Sequence, residues 1–287
     1  MLVVGMHRSG TSAITRVLNL LGAELPKRIL GATPSNPTGH WEPEPLIRLN
    51  ERMLADLGSQ WYDFRSLDHR AAQRYADQIE AVIAEEFTDA ELFVLKDPRI
   101  SRLVPVYKAV LDRMDVETLA VICLRNPLEV AESLAKRDRL TVSFSGIVWA
   151  RHMLEAEIGT RGVKRAFVDY ARLLQDWRAV VDSLTAALGP AFPIEVGSVA
   201  AEIGAFLDPS HRNHVATTDA LTPDLDDWVK ATYAALLDVA ENPADREALS
   251  TLDRIRRECD LASTVVGRSA MGQIAADRRE LIRLRRR

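Results

Sequence analysis

Two stretches of this chain combine glycine, hydroxyl and cationic residues in a pattern suited to holding oxyanions. The first is Gly5-Met6-His7-Arg8-Ser9-Gly10-Thr11-Ser12. The short apolar run Leu2 to Gly5 reads as a buried strand. Thr11 to Gly22 reads as a helix, with Ile14, Val17, Leu18 and Leu21 at helical spacing. The octet is therefore expected to join strand to helix. Backbone N–H groups point outward at such a helix start, and the dipole adds partial positive charge. Gly10 allows close approach of the backbone. Thr11 and Ser12 add hydroxyls, and Arg8 adds a full charge. The second stretch, Leu124-Arg125-Asn126-Pro127, closes the β-branched run Thr118 to Leu124. Pro127 opens a helix, where its missing N–H costs nothing, and Ser133 stands two turns along it. The planar fork of Arg125 suits phosphate, and Ser133 can converge with it on the same group.

The octet has the frame of the nucleotide-binding P-loop, Gly, four residues, Gly, then two positions. Those two positions are Thr11 and Ser12, so the Lys that reaches β- and γ-phosphates is missing. The loop is equipped for one phosphate and poorly equipped for a triphosphate with Mg²⁺. A P-loop kinase or nucleotide-binding enzyme remains an alternative, with Asp97 as its acidic Mg²⁺ ligand. A non-catalytic nucleotide-binding protein is a second alternative.

The octet resembles the 5′-phosphosulfate loop of sulfotransferases that use 3′-phosphoadenosine-5′-phosphosulfate (PAPS). Their usual form has Lys where Arg8 stands, and many bacterial members carry Arg and Thr-Ser as here. Arg125-Asn126-Pro127 with Ser133 is similar to the family's 3′-phosphate motif, in the same order and at a similar separation. The resemblance implies that Arg8, Ser9, Gly10, Thr11 and Ser12 grip the 5′-phosphate and that Arg125 and Ser133 hold the 3′-phosphate. Phe167-Val168-Asp169-Tyr170 looks like the family's Tyr-Glu-Asp-Leu segment, which implies Tyr170 at the adenine edge; Ala171 and Arg172 depart from the usual acids. Leu95 to Arg99 resembles a strand-end segment common among bacterial members. Phe206-Leu207-Asp208-Pro209 resembles a late segment near the donor, with Arg212 as a further phosphate ligand. The expected donor is PAPS, the product adenosine 3′,5′-bisphosphate (PAP), and no metal is expected.

Sulfuryl transfer asks for positioning and cationic stabilisation more than covalent help, by analogy with phosphoryl transfer. Arg8 is the first candidate. Lys96 is the second, at a strand's C-terminal end where parallel sheets place their ligands. An acceptor hydroxyl also needs a base. Glu42 is favoured because many carbohydrate-acting members use a Glu soon after the phosphate loop; Asp97, His7 and His40 are the other candidates. Asp97 reads better as a structural partner of Arg99 or Arg125. Trp41, Trp61 and Tyr62 are expected to line an acceptor pocket for a small molecule, glycan or lipid, with a carbohydrate or glycolipid preferred. Trp149 and Trp177 fall in helical patterns and are expected in the core.

The elements that must position these residues alternate strand and helix. After a long irregular loop at 24–42 come expected helices at 43–57 and 69–87, and a strand at Leu92 to Leu95. A helix at 101–112, the strand Thr118 to Leu124, helices from 127 and at 141–160, a strand at Ala166 to Val168 and a helix at 170–187 follow. This order predicts an α/β fold with a central, mostly parallel sheet flanked by helices in three layers. The division expected is a 1–215 α/β domain and a 216–287 helical extension. Hydrophobic residues at 47% and charged residues at 27% give an ordinary globular balance. A net charge of −4 argues against nucleic-acid binding through bulk charge. Cys123 and Cys259 form no framework, so free thiols and a cytoplasmic location are expected. His211 and His214 lack companions for a metal site, and no apolar run is long enough for a membrane span. The Arg-dense end, Asp277 to Arg287, is expected to be a solvated helix tip.

Overall fold

The computed structural model of the chain describes residues 1–33, 36, 39–189, 192–207 and 225–285. Four strands form one sheet: β1 (Leu2–Val4), β2 (Leu95–Lys96), β3 (Leu119–Leu124) and β4 (Lys164–Asp169). Their order is β2-β1-β3-β4 and every pairing is parallel. Val3 lies opposite both Lys96 and Val121, and Leu124 opposite Asp169. The helices are α1 (Thr11–Leu20), α2 (Glu44–Asp56), α3 (His69–Ala72), α4 (Ala76–Glu86), α5 (Val104–Arg113), α6 (Pro127–Asp138), α7 (Val142–Gly159), α8 (Tyr170–Gln175), α9 (Trp177–Leu188), α10 (Val196–Phe206), α11 (Asp227–Glu241) and α12 (Arg246–Arg285). This is the expected three-layer α/β arrangement with a helical C-terminal part.

A parallel sheet covered on both faces needs strands that are apolar on both faces. Leu2, Val4, Leu95, Ile122 and Leu124 pack into a core with residues of α2, α4–α7, α11 and α12. Val3, Val121, Cys123, Ala166 and Val168 pack into a second core with residues of α1, α9 and α10. Trp149 and Trp177 are buried, one in each core. Both cysteines are free and buried. No helix among the described residues is long and apolar enough to cross a membrane.

Several element boundaries differ from the sequence reading. The expected strand at 92–95 begins later, because Glu24 of the preceding loop exchanges backbone hydrogen bonds with Leu92 and Val94. Only Leu95 and Lys96 join the sheet. The single helix expected over 69–87 is broken by a 3₁₀ turn, Gln73–Tyr75, where the buried Tyr75 reaches Asp56. The 101–112 helix is two pieces: a 3₁₀ segment, Pro98–Arg102, capped by Asp97, and α5, whose first turn holds Pro105. The 170–187 helix breaks at Asp176, whose carboxylate accepts from the Ala179 N–H and starts α9 anew. The C-terminal end is not simply solvated. Arg278 lies 4.6 Å over the Tyr62 ring and donates to the Asp138 carbonyl.

A buried ionic network fixes α12 and the 63–65 turn to the sheet domain. Arg102 is fully buried and bonds Glu155 and the carbonyls of Asp63 and Arg65. Arg151 bonds Asp260 at 2.7 Å and the Phe64 carbonyl at 2.6 Å. Removing one partner of a buried ion pair typically costs about 3–5 kcal/mol. Arg102→Ala is expected to lower the urea midpoint by that equivalent; a shift below about 1 kcal/mol would show that the network does not hold the turn.

Candidate functional site

Parallel pairing sends all four strand ends out at one edge of the sheet. The sequences that leave there are the 5–10 loop after β1, Lys96-Asp97 at β2, Arg125 after β3 and Tyr170 after β4. The strand order reverses between β1 and β3, which is where open α/β sheets bind ligands. Arg125 bridges that crevice by donating from Nη1 to the Arg8 carbonyl at 2.9 Å, across 117 residues of chain.

The loop itself is built on glycine and one serine. Ser101 Oγ accepts from the Gly5 N–H at 2.8 Å and donates to the Gly5 carbonyl at 3.0 Å. Arg8 has φ 71°, a left-handed conformation that costs a non-glycine residue on the order of 1 kcal/mol. Gly10 has φ 87° and caps α1 with no side-chain hydrogen bond, and the first turn carries no acid. Among the described residues, therefore, no side chain caps the N–H end of α1, which suits it to an oxyanion. Ser9 Oγ is buried with no hydrogen-bond partner among the described residues.

Positive charge gathers here in excess. Arg8 Nε donates to Ser133 Oγ at 2.9 Å. Burial, then Arg137 and Arg125, depress the Arg8 guanidinium below its usual range. Burial together with Arg137 and Arg99 likewise holds His7 well below the ordinary histidine value. Arg125 is already engaged: its Nε donates to the buried Glu129 at 2.7 Å, and its guanidinium lies 4.8 Å over the Tyr170 ring. Two of its donors meet protein acceptors, the Glu129 carboxylate and the Arg8 carbonyl.

Lys96 and Glu42 form a buried pair beside this loop. Lys96 Nζ donates to Glu42 Oε1 at 2.5 Å, to the His40 carbonyl at 2.9 Å and to Ser12 Oγ at 3.1 Å. Glu42 arrives because the 24–42 loop folds back on itself, with Leu30 N–H donating to the Glu42 carbonyl and Glu44 N–H to that of Arg28. Burial raises the Glu42 carboxyl above its normal range, opposed by Lys96. Asp97 pairs with Arg99, one of the two partners expected of it. Its Oδ1 accepts from the Arg99 backbone and guanidinium, and its Oδ2 from Asn50 at 2.9 Å.

The structure therefore brings together Arg8, Ser9, Gly10, Thr11, Ser12, Lys96, Glu42, Arg125, Ser133 and Tyr170. Ser133 meets Arg8 directly, rather than sharing a contact with Arg125 alone. Tyr170 packs against Gly10, where a Cβ would come within 2.3 Å of the ring. Trp61 and Tyr62 sit side by side, with centroids 5.4 Å apart, and line one cavity. Trp41 does not share that lining; it lies beneath Arg16 and against Gly39. Arg212, His211 and His214 lie outside the described residues. No cluster that could hold a metal ion occurs among the described residues. Sequence reading missed Arg137 and Glu129, although Arg125, Glu129, Ser133 and Arg137 recur at every fourth position. That spacing puts the last three on one face of α6.

Comparison with family models, with curated proteins and with solved structures finds no match for this chain.

Two outcomes test this geometry. Gly10→Ala is expected to destabilise the fold and impair anion binding, because its Cβ meets the Tyr170 ring; Gly10→Ala with Tyr170→Ala should recover part of the stability. Equal stability of the single and double variants by urea titration would contradict the contact. His40 is lowered to about 4 by partial burial, then by Lys96, Arg137 and Arg8. A histidine depressed in the folded state stabilises fully above its unfolded value of 6.5 and loses that contribution as pH falls toward 4. The His40→Gln variant should show a shallower decline of urea midpoint across that interval.

Proposed function

We propose that this protein transfers a sulfuryl group from PAPS to a hydroxyl, or an amine, of an acceptor. The observation that carries the reading is the meeting of Arg8 and Arg125 across the β1–β3 crevice. Two motifs far apart in sequence, each suited to one phosphate, become adjacent there. The α1 N-terminus without a side-chain cap and the buried Arg8 guanidinium, with Arg137 and Arg125 near it, suit the site to anions.

In this reading the acceptor oxygen attacks sulfur while the bond from sulfur to the 5′-phosphate oxygen breaks, releasing PAP. Arg8 and Lys96 neutralise charge growing on the equatorial oxygens and on the leaving oxygen. Glu42 takes the acceptor proton. Its burial suits it to that role, since a raised carboxyl holds a proton better near neutral pH. The Lys96–Glu42 contact at 2.5 Å keeps acid and base together until an anion at Ser12 competes for the ammonium.

The kinase alternative weakens on two observations. Both oxygens of Asp97, its candidate Mg²⁺ ligand, are engaged by Arg99 and Asn50, and Thr11 occupies the place of the P-loop Lys. A non-catalytic PAP-binding protein uses the same pocket without turnover. Thermal stability with PAP and with ATP·Mg²⁺ separates the readings. A ligand at about 100 times its Kd adds about 2.7 kcal/mol. The expected result is a shift with PAP that Arg125→Ala diminishes. Glu42→Gln should keep PAP binding and reduce sulfuryl transfer, followed with labelled donor, by about 10²–10⁴-fold. A shift with ATP·Mg²⁺ alone would favour the kinase. PAP binding without product from any acceptor would favour the binding protein.

A further inference from the structure

A cavity of about 560 Å³ lies between the end of α2, the turn at 59–62 and the distal part of α12. Trp61 and Tyr62 form its aromatic wall, and Glu51, Arg99, Arg278 and Arg279 are its charged lining residues. Trp61 ties the cavity to the phosphate loop. Its ring meets His7, the neighbour of Arg8, at 4.8 Å, and the Arg137 guanidinium lies 5.6 Å from it.

The lining carries more positive than negative charge. Arg99 pairs with Asp97 and Glu51, yet its Nε is buried with no acceptor among the described residues. Arg278 rests on Tyr62 and donates to a backbone carbonyl. Neither Arg278 nor Arg279 has a carboxylate partner among the described residues, whereas Arg99 in the same lining pairs with Glu51 and Asp97. Guanidinium groups in a cavity beside aromatic rings recognise an oxyanion carried on a ring or sugar face.

We infer that this cavity is the acceptor subsite and that it takes an anionic, ring-bearing small molecule, its carboxylate or phosphate meeting Arg278 and Arg279 and its flat face meeting Trp61. The identity of the ligand as acceptor rests on the sulfuryl-transfer reading; the anion preference of the cavity does not. The negative charge of the whole chain would disfavour such a ligand elsewhere on the surface, so the local arginines set the selectivity.

The test uses the full chain without nucleotide. Methyl glucoside, methyl glucuronoside and glucose 6-phosphate are titrated by ligand-observed nuclear magnetic resonance. The neutral sugar should bind at least tenfold more weakly than one or both anions, and the better anion identifies carboxylate or phosphate as the preferred group. Arg279→Glu, at an exposed position, should abolish that preference, and Arg278→Gln should weaken it. Equal binding of all three sugars, or no binding of either anion, overturns the inference. So does an anion preference that survives Arg279→Glu. A parallel PAP titration on each variant separates the two readings. PAP binding retained in Arg279→Glu, with the sugar anion lost, supports both. Sugar-anion selectivity with no PAP binding by the unaltered chain keeps the cavity and overturns the donor reading.

Discussion

Guanidinium and ammonium groups held close together repel one another, and the candidate site is arranged around that repulsion. Burial first, then Arg137 and Arg125, depress the Arg8 guanidinium, and burial with Arg137 and Lys96 among the nearby cations lowers both His7 and His40. Only a few protein acids offset them. Glu129 takes Arg125, Asp138 takes Arg137 and Glu42 takes Lys96. The rest of the fold supplies rigid backing. Four short parallel strands bring the cations to one edge, and two separate apolar cores hold those strands from both faces. Without such backing the cations would spread into solvent and the local field would be lost.

The strained backbone of the loop belongs to the same arrangement. The left-handed conformation at Arg8 makes its carbonyl an acceptor for Arg125 while its side chain reaches Ser133. One residue thereby touches both motifs. Gly5, clasped on both its N–H and its carbonyl by Ser101, anchors the start of the loop to the segment that follows β2. The loop geometry is thus determined by contacts from β2 and β3 as much as by its own sequence.

The parts of this design that depend on local pattern were readable in the chain. β1, β3 and α1 follow from apolar runs and helical spacing, and the two oxyanion motifs from residue type and order. What escaped was set by distant partners. Of the strand expected at 92–95 only Leu95 joined the sheet, because Glu24 takes Leu92 and Val94, and the 69–87 helix broke where the buried Tyr75 reaches Asp56. The break at Asp176 was a local signal passed over, since an Asp before an apolar helix is a ready cap. Lys96 and Glu42 could each be singled out, but their pairing could not, because the fold-back of the 24–42 loop joins them. Arg137 was visible only as an extension of the Arg125 series along α6.

α12 runs as one helix over 40 residues, on the order of 60 Å at 1.5 Å per residue. It is clamped to the sheet domain through Asp253 and Asp260, and it delivers Arg278 to Tyr62 some way further along. A rigid rod clamped at one point and read at another is sensitive to phase. Adding a single residue between Asp260 and Arg278 would swing the arginine about 100° around the axis, out of the cavity wall. Seven added residues would nearly restore its direction but carry it about 10 Å past Tyr62. The length of that span is therefore set by the aromatic wall it must meet, and a substitution there keeps the phase where an insertion breaks it.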